Sequence, residues 1–578
     1  MASAPEAQAV VSTLPGLFFD QVRRRGQAIA LRHKERGIWK RILWSEYGER
    51  VRAVAAAVRA FGVRPGENVA VLGENRPEWL YCHLGIMAAG AATCGIYPTS
   101  SAEQVEYLLG HCEARLLFLE DEEQLEKVLA VLPRTRVERA VVWDPKGLWG
   151  FSDPRVVLFD AFLGTAQPTD LPAIDPEATA MIIYTSGTTG PPKGAMLSHR
   201  NIDAVSRALL AAYPLTEDDE AISCLPFAHV YENLISVFQA VRVGYTVNFV
   251  ERAETLFQNL REISPTYFAH VPRLWEKLAS SVELRMQDAT PLKRALYRWA
   301  MRTKMRKLAD LLVLRPLRWQ LGLDRVRIAL CGAAPASPEL FGFYRALGLP
   351  LIEGYGQTES SGAISIDSLQ SPWPGTVGKP LDGVEVTLAA DGEILVRGPL
   401  VFKGYFKDPE LTARTIDGDG FLHTGDLGEW DKGRLRIVDR KKDIIVTAGG
   451  KNVTPAYIEN KLKFSPYIQD AVVVGDRRKF LVALILIDED NVTRFAQDNR
   501  IPFGTFADLT REPRVVKLIG GEVDRVNRTL SSVESVKKFA LLPRRFYEED
   551  GDVTPTRKVK RRNIETRYAE LIGSLYAD

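Results

Sequence analysis

A chain of 578 residues, 46% hydrophobic and 26% charged, can bury several domain-sized cores. Its 75 basic and 73 acidic residues nearly cancel, which excludes a chain-wide electrostatic pull toward nucleic acid; any basic patch must be local. Five scattered cysteines, Cys82, Cys94, Cys112, Cys224 and Cys331, lack CxxC or Cys/His spacing, so they read as small core residues of a reducing compartment rather than zinc ligands.

In chain order, ENVAVLG (67–73) reads as a strand, RPEWLYCHLGIMAAGA as a helix, ATCGIYP as a strand, SSAEQVEYLLGHC as a helix and ARLLFLED as a strand before another helix. This alternation predicts βαβ units and parallel sheets covered by helices, and it returns near 221–250 and 325–352. Residues 385–400 instead alternate at period two around Asp391-Gly392, a hairpin signal within a small β-rich section. After GRLRIVDRKKDIIV the pattern becomes a compact mixture: helix PAYIENKLKFS, strands IQDAVVVGD and LVALILID, then helices to the end. The expected fold is α/β: a large N-terminal domain (1–439) of helix-covered mixed sheets plus the small β section, and a smaller α+β C-terminal domain (440–578). No amino-terminal leader and no uninterrupted run of about 18 apolar residues stands out, so a cytoplasmic, non-spanning protein is expected.

TAMIIYT (179–185) reads as a buried strand from which YTSGTTGPPKGAML (184–197) opens. Gly187, Gly190 and Gly194 permit close approach of backbone N–H groups, Thr185, Ser186, Thr188 and Thr189 add hydroxyls, and Lys193 adds a cation. Donors around one cation suit a polyphosphate, whose oxygens only accept. The spacing does not fit GxxxxGK[ST], and a strand, GAMLS, is expected to follow in place of the Walker helix.

This string resembles the phosphate-binding signature of the adenylate-forming, or AMP-binding, superfamily, and further motifs of that family follow in order. LPFAHVYE (225–232) resembles its gate motif, with His229 bordering the acyl carboxylate. CGAAP (331–335) resembles the adenine-contacting segment, giving Gly332, Ala333 and Ala334. In EGYGQTES (353–360) the resemblance implies Tyr355 and Gly356 at the adenine, Thr358 at the α-phosphate and Glu359, with Thr185, as ligands of Mg²⁺. FLHTGDLGEW supplies Asp426 for the ribose hydroxyls, Arg440 a second ribose contact, and Lys442 the hinge about which the smaller domain moves. Gly449-Gly450 would be presented to the thiol. TPTRKVKRR (554–562) carries Lys558 where relatives have the lysine that reaches the adenylation site, although Arg557 replaces their usual glycine.

The chain is most similar to bacterial long-chain fatty-acyl-CoA synthetases, which implies ATP, Mg²⁺ and coenzyme A as cofactors and a long-chain fatty acid as substrate, without nucleic acid. A carrier-loading adenylation enzyme or fatty-acyl-AMP ligase, and a non-catalytic fatty-acid-binding protein, remain as alternatives; an oligomer is compatible. Residues 291–320 hold nine Lys/Arg and one Asp, with Leu292, Leu296, Trp299, Met301, Met305, Leu308 and Leu312 at helical spacing. That pattern suits either peripheral contact with an anionic membrane or a helix packed on the protein.

Overall fold

Short, wholly apolar segments between amphipathic helices can satisfy both their faces only inside a parallel sheet covered by helices. The computed structural model describes residues 11–577, except 168, 186–190, 549 and 555–557. Asn68–Leu72, Ala92–Ile96, Leu116–Leu119 and Arg139–Val142 form the parallel centre of an eight-stranded sheet, with helices Pro77–Ala88, Ala102–Cys112 and Glu122–Val131 between them. Thr179–Thr185 joins parallel to Ala92–Ile96, and Lys193–Ser198 returns antiparallel beside it. The expected strand after the glycine-rich loop is therefore present where a Walker loop would start a helix.

A second, nine-stranded sheet runs through Leu351–Tyr355, Ile328–Cys331, Tyr267–His270, Glu220–Ser223 and Thr246–Phe249, all parallel, and ends in the hairpin Ile29–Glu35 with Ile38–Leu43. Gly95 joins the two sheets. A Cβ there would lie 2.9 Å from Ala228 Cα, so only glycine lets the segment leaving the second sheet rest on the first. Phe227 beside it stacks on Trp79, ring centroids 4.8 Å apart.

The hairpin read at Asp391-Gly392 is present: Glu385–Leu388 pairs with Glu393–Arg397, with Gly392 at φ +85°. It continues into a four-stranded antiparallel sheet through Leu422–Asp431 and Arg434–Arg440. Beyond Arg440 a separate core, including Ile458, Val473, Leu481, Ile485 and Ile519, holds a three-stranded sheet with its helices. Helices alone were expected after LVALILID, but Val536–Leu541 is a strand paired parallel to Leu481–Ile487. Its exposed Lys537 and Lys538 mask the apolar pattern while suiting an edge strand.

Residues 291–320 do not make one helix. Pro291–Arg302 ends where the Thr303 hydroxyl accepts the Met305 N–H (3.1 Å), a local bond that competes with the helical ladder, and helical structure resumes from Arg306 to Leu321. The expected apolar stripe also divides. Trp299 and Met301 pack on the core, whereas Leu292, Leu296, Met305, Leu308 and Leu312 point outward. No helix among the described residues is long and apolar enough to cross a membrane. All five cysteines are unpaired thiols, four of them buried.

Candidate active site

Parallel strands release their chains at their carboxyl ends, and the candidate residues gather there. Thr185, Cys331 and Tyr355 each end a strand, and Thr185, Tyr355 and the segments that follow Cys331 and Tyr355 line a cleft of about 2310 Å³ reaching from the two sheets to the core beyond Arg440. Gly332 donates its N–H to His270 O (3.2 Å), and Ala333 turns the chain at φ +68°, a conformation that costs a non-glycine residue and is kept here by its neighbours. Gly332, Ala333 and Ala334 all face the cleft.

Asp426 and Arg440 are opposite partners on adjacent strands, so the sheet itself sets their spacing. The Asp426 carboxylate, 6% exposed, accepts the Tyr355 hydroxyl at Oδ2 (2.7 Å) and has Arg440 Nε 3.4 Å from Oδ1. Each carboxylate oxygen has one of these partners, which leaves it capacity to accept another hydrogen bond, and Asp426 lines the cleft. Burial and then the Asp426 charge push the Tyr355 hydroxyl well above its ordinary range, which keeps it a donor.

Thr358 and Glu359 sit on a single 3₁₀ turn after Tyr355. Glu359 accepts the Tyr405 hydroxyl at Oε1 (2.7 Å), its other oxygen having no hydrogen-bond donor among the described residues, and Lys193 Nζ lies 5.7 Å from the centroid of the same tyrosine ring. Tyr405 thus links the strand-end turn to the lysine of the glycine-rich motif. Thr185 and Lys193 face each other across the two strands that bracket that motif, and the Thr185 hydroxyl donates to Lys193 O (3.5 Å). Ser186, Gly187, Thr188, Thr189 and Gly190 lie outside the described residues. No cluster of three or more His, Cys, Asp or Glu side chains able to hold a metal occurs among the described residues. A carboxylate oxygen with no partner among the described residues fits a cation that takes its remaining ligands from phosphate and water, as Mg²⁺ does.

His229 caps the short helix Val230–Asn233, its Nδ1 accepting the Tyr231 N–H (3.2 Å). Nδ1 must then carry a lone pair, and the proton of the neutral ring sits on Nε2. Burial, followed by the Lys558 charge, pushes the His229 pKa down to about 3, so the ring is neutral at physiological pH. Beneath it lies a buried network. Glu232 accepts Ser223 Oγ and Ser236 Oγ (2.5 Å each) and the Leu225 N–H (3.0 Å), while Asn233 Nδ2 donates to Phe227 O (2.6 Å) and His229 O (3.1 Å). Burial raises the Glu232 pKa to about 7 despite these donors.

Lys558 comes from the far side of the cleft. It is held by a neighbouring Val553–Val559 bridge, by Thr554 N–H to Lys558 O (2.8 Å) and by Lys558 N–H to Thr554 Oγ1 (3.1 Å). The side chain still reaches solvent within the cleft, yet surrounding protein and then the Arg440 charge lower its pKa to about 8, against the opposing pull of Asp426 and Glu359. Lys442 is also lowered, by burial and by Arg440. Lys461 Nζ pairs with Glu339 Oε1 (2.8 Å) and Arg494 pairs with Asp288, tying this region to the sheets.

The structure therefore brings together Thr185, Lys193, His229, Gly332, Ala333, Ala334, Tyr355, Gly356, Thr358, Glu359, Asp426, Arg440, Lys442 and Lys558 around one cleft. Gly449 and Gly450 do not join them: they form an exposed turn between strands Ile445–Val446 and Asn452–Val453. Sequence reasoning missed Tyr405, which stands alone 46 residues from its partner Glu359. It also passed over Glu232, although the LPFAHVYE motif ends on it.

This architecture is that of adenylation domains. The adenylation domain of a carboxylate reductase from Mycobacterium chelonae superposes with a TM-score of 0.81 at 23% identity, covering 99% of this chain and 92% of that one. Residues 18–406 match the family described as AMP-binding enzyme, and residues 442–578 match the AMP-binding enzyme C-terminal domain. The chain belongs to the AMP-binding enzyme family. It is 36% identical to the long-chain-fatty-acid–CoA ligase FadD15 of Mycobacterium tuberculosis over 93% of each chain. It is also 31% identical to the long-chain-fatty-acid–CoA ligase ACSBG2 of Rattus norvegicus, over 98% of this chain and 93% of that one.

Proposed function

We propose that the protein is an ATP-dependent ligase that activates a long-chain fatty acid as acyl-AMP and transfers the acyl group to coenzyme A, releasing AMP and pyrophosphate. The observation that carries this reading is Lys558, supplied from beyond Arg440 and facing Asp426, Glu359 and Arg440 in the cleft. The names of the relatives at 36% and 31% identity support the same chemistry. Apolar side chains Leu209, Val230, Leu234, Ile235 and Leu330 line the cleft beside His229 and suit an alkyl chain.

A carboxylate is a poor acyl donor because its leaving group would be oxide. Its oxygen attacks the α-phosphorus of ATP, the bond from that phosphorus to the bridging oxygen breaks, and pyrophosphate leaves. Negative charge concentrates between carboxylate and phosphates, where Lys558 and Lys193 meet it with fixed positive charge. Asp426 and Arg440 hold the ribose, Tyr355 and the Gly332–Ala334 segment face the adenine, and Thr358 meets the α-phosphate. Magnesium would be held by the Glu359 carboxylate together with Thr185, and would neutralise phosphate charge. His229, neutral with its proton on Nε2, serves as a hydrogen-bond donor at the acyl carboxylate rather than as a cation. In the second step the thiolate sulfur attacks the acyl carbon and the carbon–oxygen bond to AMP breaks.

The reading divides the chain into an N-terminal domain, 1–439, and a mobile C-terminal domain, 440–578, with the hinge at Arg440–Lys442. Lys558 inside the cleft and Gly449-Gly450 outside it are what an adenylate-forming arrangement requires; the exchange of the two would open the thiol path. A cytoplasmic location follows from the substrates.

The test is pyrophosphate release across a panel of carboxylic acids, with and without coenzyme A. Release that is greatest with long-chain acids and turns over only with coenzyme A is expected. Turnover independent of coenzyme A would favour the carrier-loading alternative, and no release with any acid would favour a binding protein. Gly356 offers a local check, because a Cβ there would lie 2.5 Å from Ala363 Cα and Gly362 O. Gly356→Ala should displace the Tyr355–Glu359 turn and weaken ATP binding at least tenfold by calorimetry; unchanged affinity would detach this turn from the nucleotide.

A further inference from the structure

Water-exposed large apolar side chains are ordinary when scattered and informative when gathered. In residues 291–320 they are gathered. Leu292 (71% exposed) and Leu296 stand one turn apart on the first helix, and Leu308, Leu311 (65%), Leu312 (57%) and Trp319 (66%) stand on the second. The spacing from Leu308 to Leu312 and Trp319 is four and then seven residues, so these three share one helical face.

Charge identifies what would cover them. Of the nine basic residues, Arg318 pairs with Asp310 (2.7 Å), the segment's one acid, and Arg306 donates to Ala346 O (2.6 Å). The other seven make no ion pair among the described residues and are exposed. A protein partner would have to supply several carboxylates against this surface as well as an apolar groove. An anionic bilayer supplies both, acyl chains below and phosphate above, and tryptophan favours the boundary between them.

We infer that this two-helix segment docks the protein on an anionic membrane surface, lying in the interface with its leucines and Trp319 inserted and its lysines and arginines at the headgroups. It does not span, because neither helix is long or apolar enough. The preceding helix, Pro272–Gln287, contributes Arg273, Lys277 and Leu284 to the lining of the cleft, and three residues connect it to Pro291. Docking thus sets the cleft wall next to the bilayer, where a long-chain acid is concentrated. That last step rests on the function proposed above; the docking itself does not.

The experiment is sedimentation of the full chain with vesicles of phosphatidylglycerol and phosphatidylcholine, against phosphatidylcholine alone. Two multiple variants are compared, Arg294→Glu with Arg298→Glu, Lys304→Glu and Lys307→Glu, and separately Leu311→Ser with Leu312→Ser and Trp319→Ser. Each basic residue near such a surface contributes about 1 kcal/mol, so the charge-reversed protein should lose roughly 100-fold or more in partition coefficient. Binding should fall as salt rises, and the apolar variant should also be released. Activity on a water-soluble shorter acid should be unchanged in both variants, which separates this outcome from failure of the ligase reading. Wild-type protein that ignores anionic vesicles, or variants that sediment like wild type, would overturn the inference. So would loss of a wild-type dimer in the variants without any change in vesicle binding, which would assign the surface to a second copy of the chain.

Discussion

Lys558→Ala is expected to slow acyl-adenylate formation by roughly 10²–10³-fold, the usual cost of removing one preorganised charge or donor from a transition state. Thioester formation from supplied acyl-AMP should change far less, because negative charge between carboxylate and α-phosphate develops only in the first step. Equal loss in both half-reactions would remove this role. The lowered pKa of about 8 adds a pH signature. A lysine helps only while protonated, and the charged form is lost as pH rises through the pKa. The adenylation kcat/KM, which reports the free enzyme, should therefore fall about tenfold per pH unit above 8, two to three units earlier than an ordinary lysine would allow. Bound ATP brings negative charge that favours the ammonium, so the limb in kcat should move to higher pH. Lys558→Arg, ionised throughout, should lose the limb whatever its absolute rate; an unchanged limb in that variant would assign it to another group.

The two parts of this site were legible in the sequence to different degrees, for physical reasons. Buried parallel strands carry a strong local signal, and Thr179–Thr185 was read with the bounds observed. Motifs whose members are adjacent, such as Tyr355 to Glu359, were equally visible. Contacts made by one isolated residue were not. Tyr405 meets Glu359 across 46 residues, and nothing near it in the chain marks it as polar support for a carboxylate. Glu232 was quoted within a motif but gained meaning only when folding buried it against Ser223 and Ser236. Residues 291–320 show the converse limit. Helical periodicity there was real, but a single threonine hydroxyl broke the helix, and packing turned Trp299 and Met301 inward while their apparent companions stayed outside. Likewise Val536–Leu541 hid its strand behind two lysines that an edge tolerates.

Asp426→Ala should raise the KM for ATP by roughly 100-fold while leaving the KM for the acid within a few-fold of wild type. The ribose hydroxyls would donate to a buried carboxylate, and a hydrogen bond to a charged group contributes about 1.5–3 kcal/mol, so two of them at the lower figure already account for a factor of that size. Removal also frees the Tyr355 hydroxyl and the Arg440 guanidinium that the carboxylate now organises, so part of the loss will be in the shape of the pocket. Asp426→Asn separates the two effects, since the amide preserves the volume and one acceptor but not the charge that holds Arg440. The decisive measurement uses ATP against 2′-deoxy-ATP. Wild type should prefer ATP strongly, because the buried oxygen otherwise loses its donor, whereas the alanine variant should treat the two nucleotides nearly alike. A variant that still discriminates would move ribose recognition elsewhere in the cleft and leave Asp426 as the strut that fixes Tyr355 and Arg440.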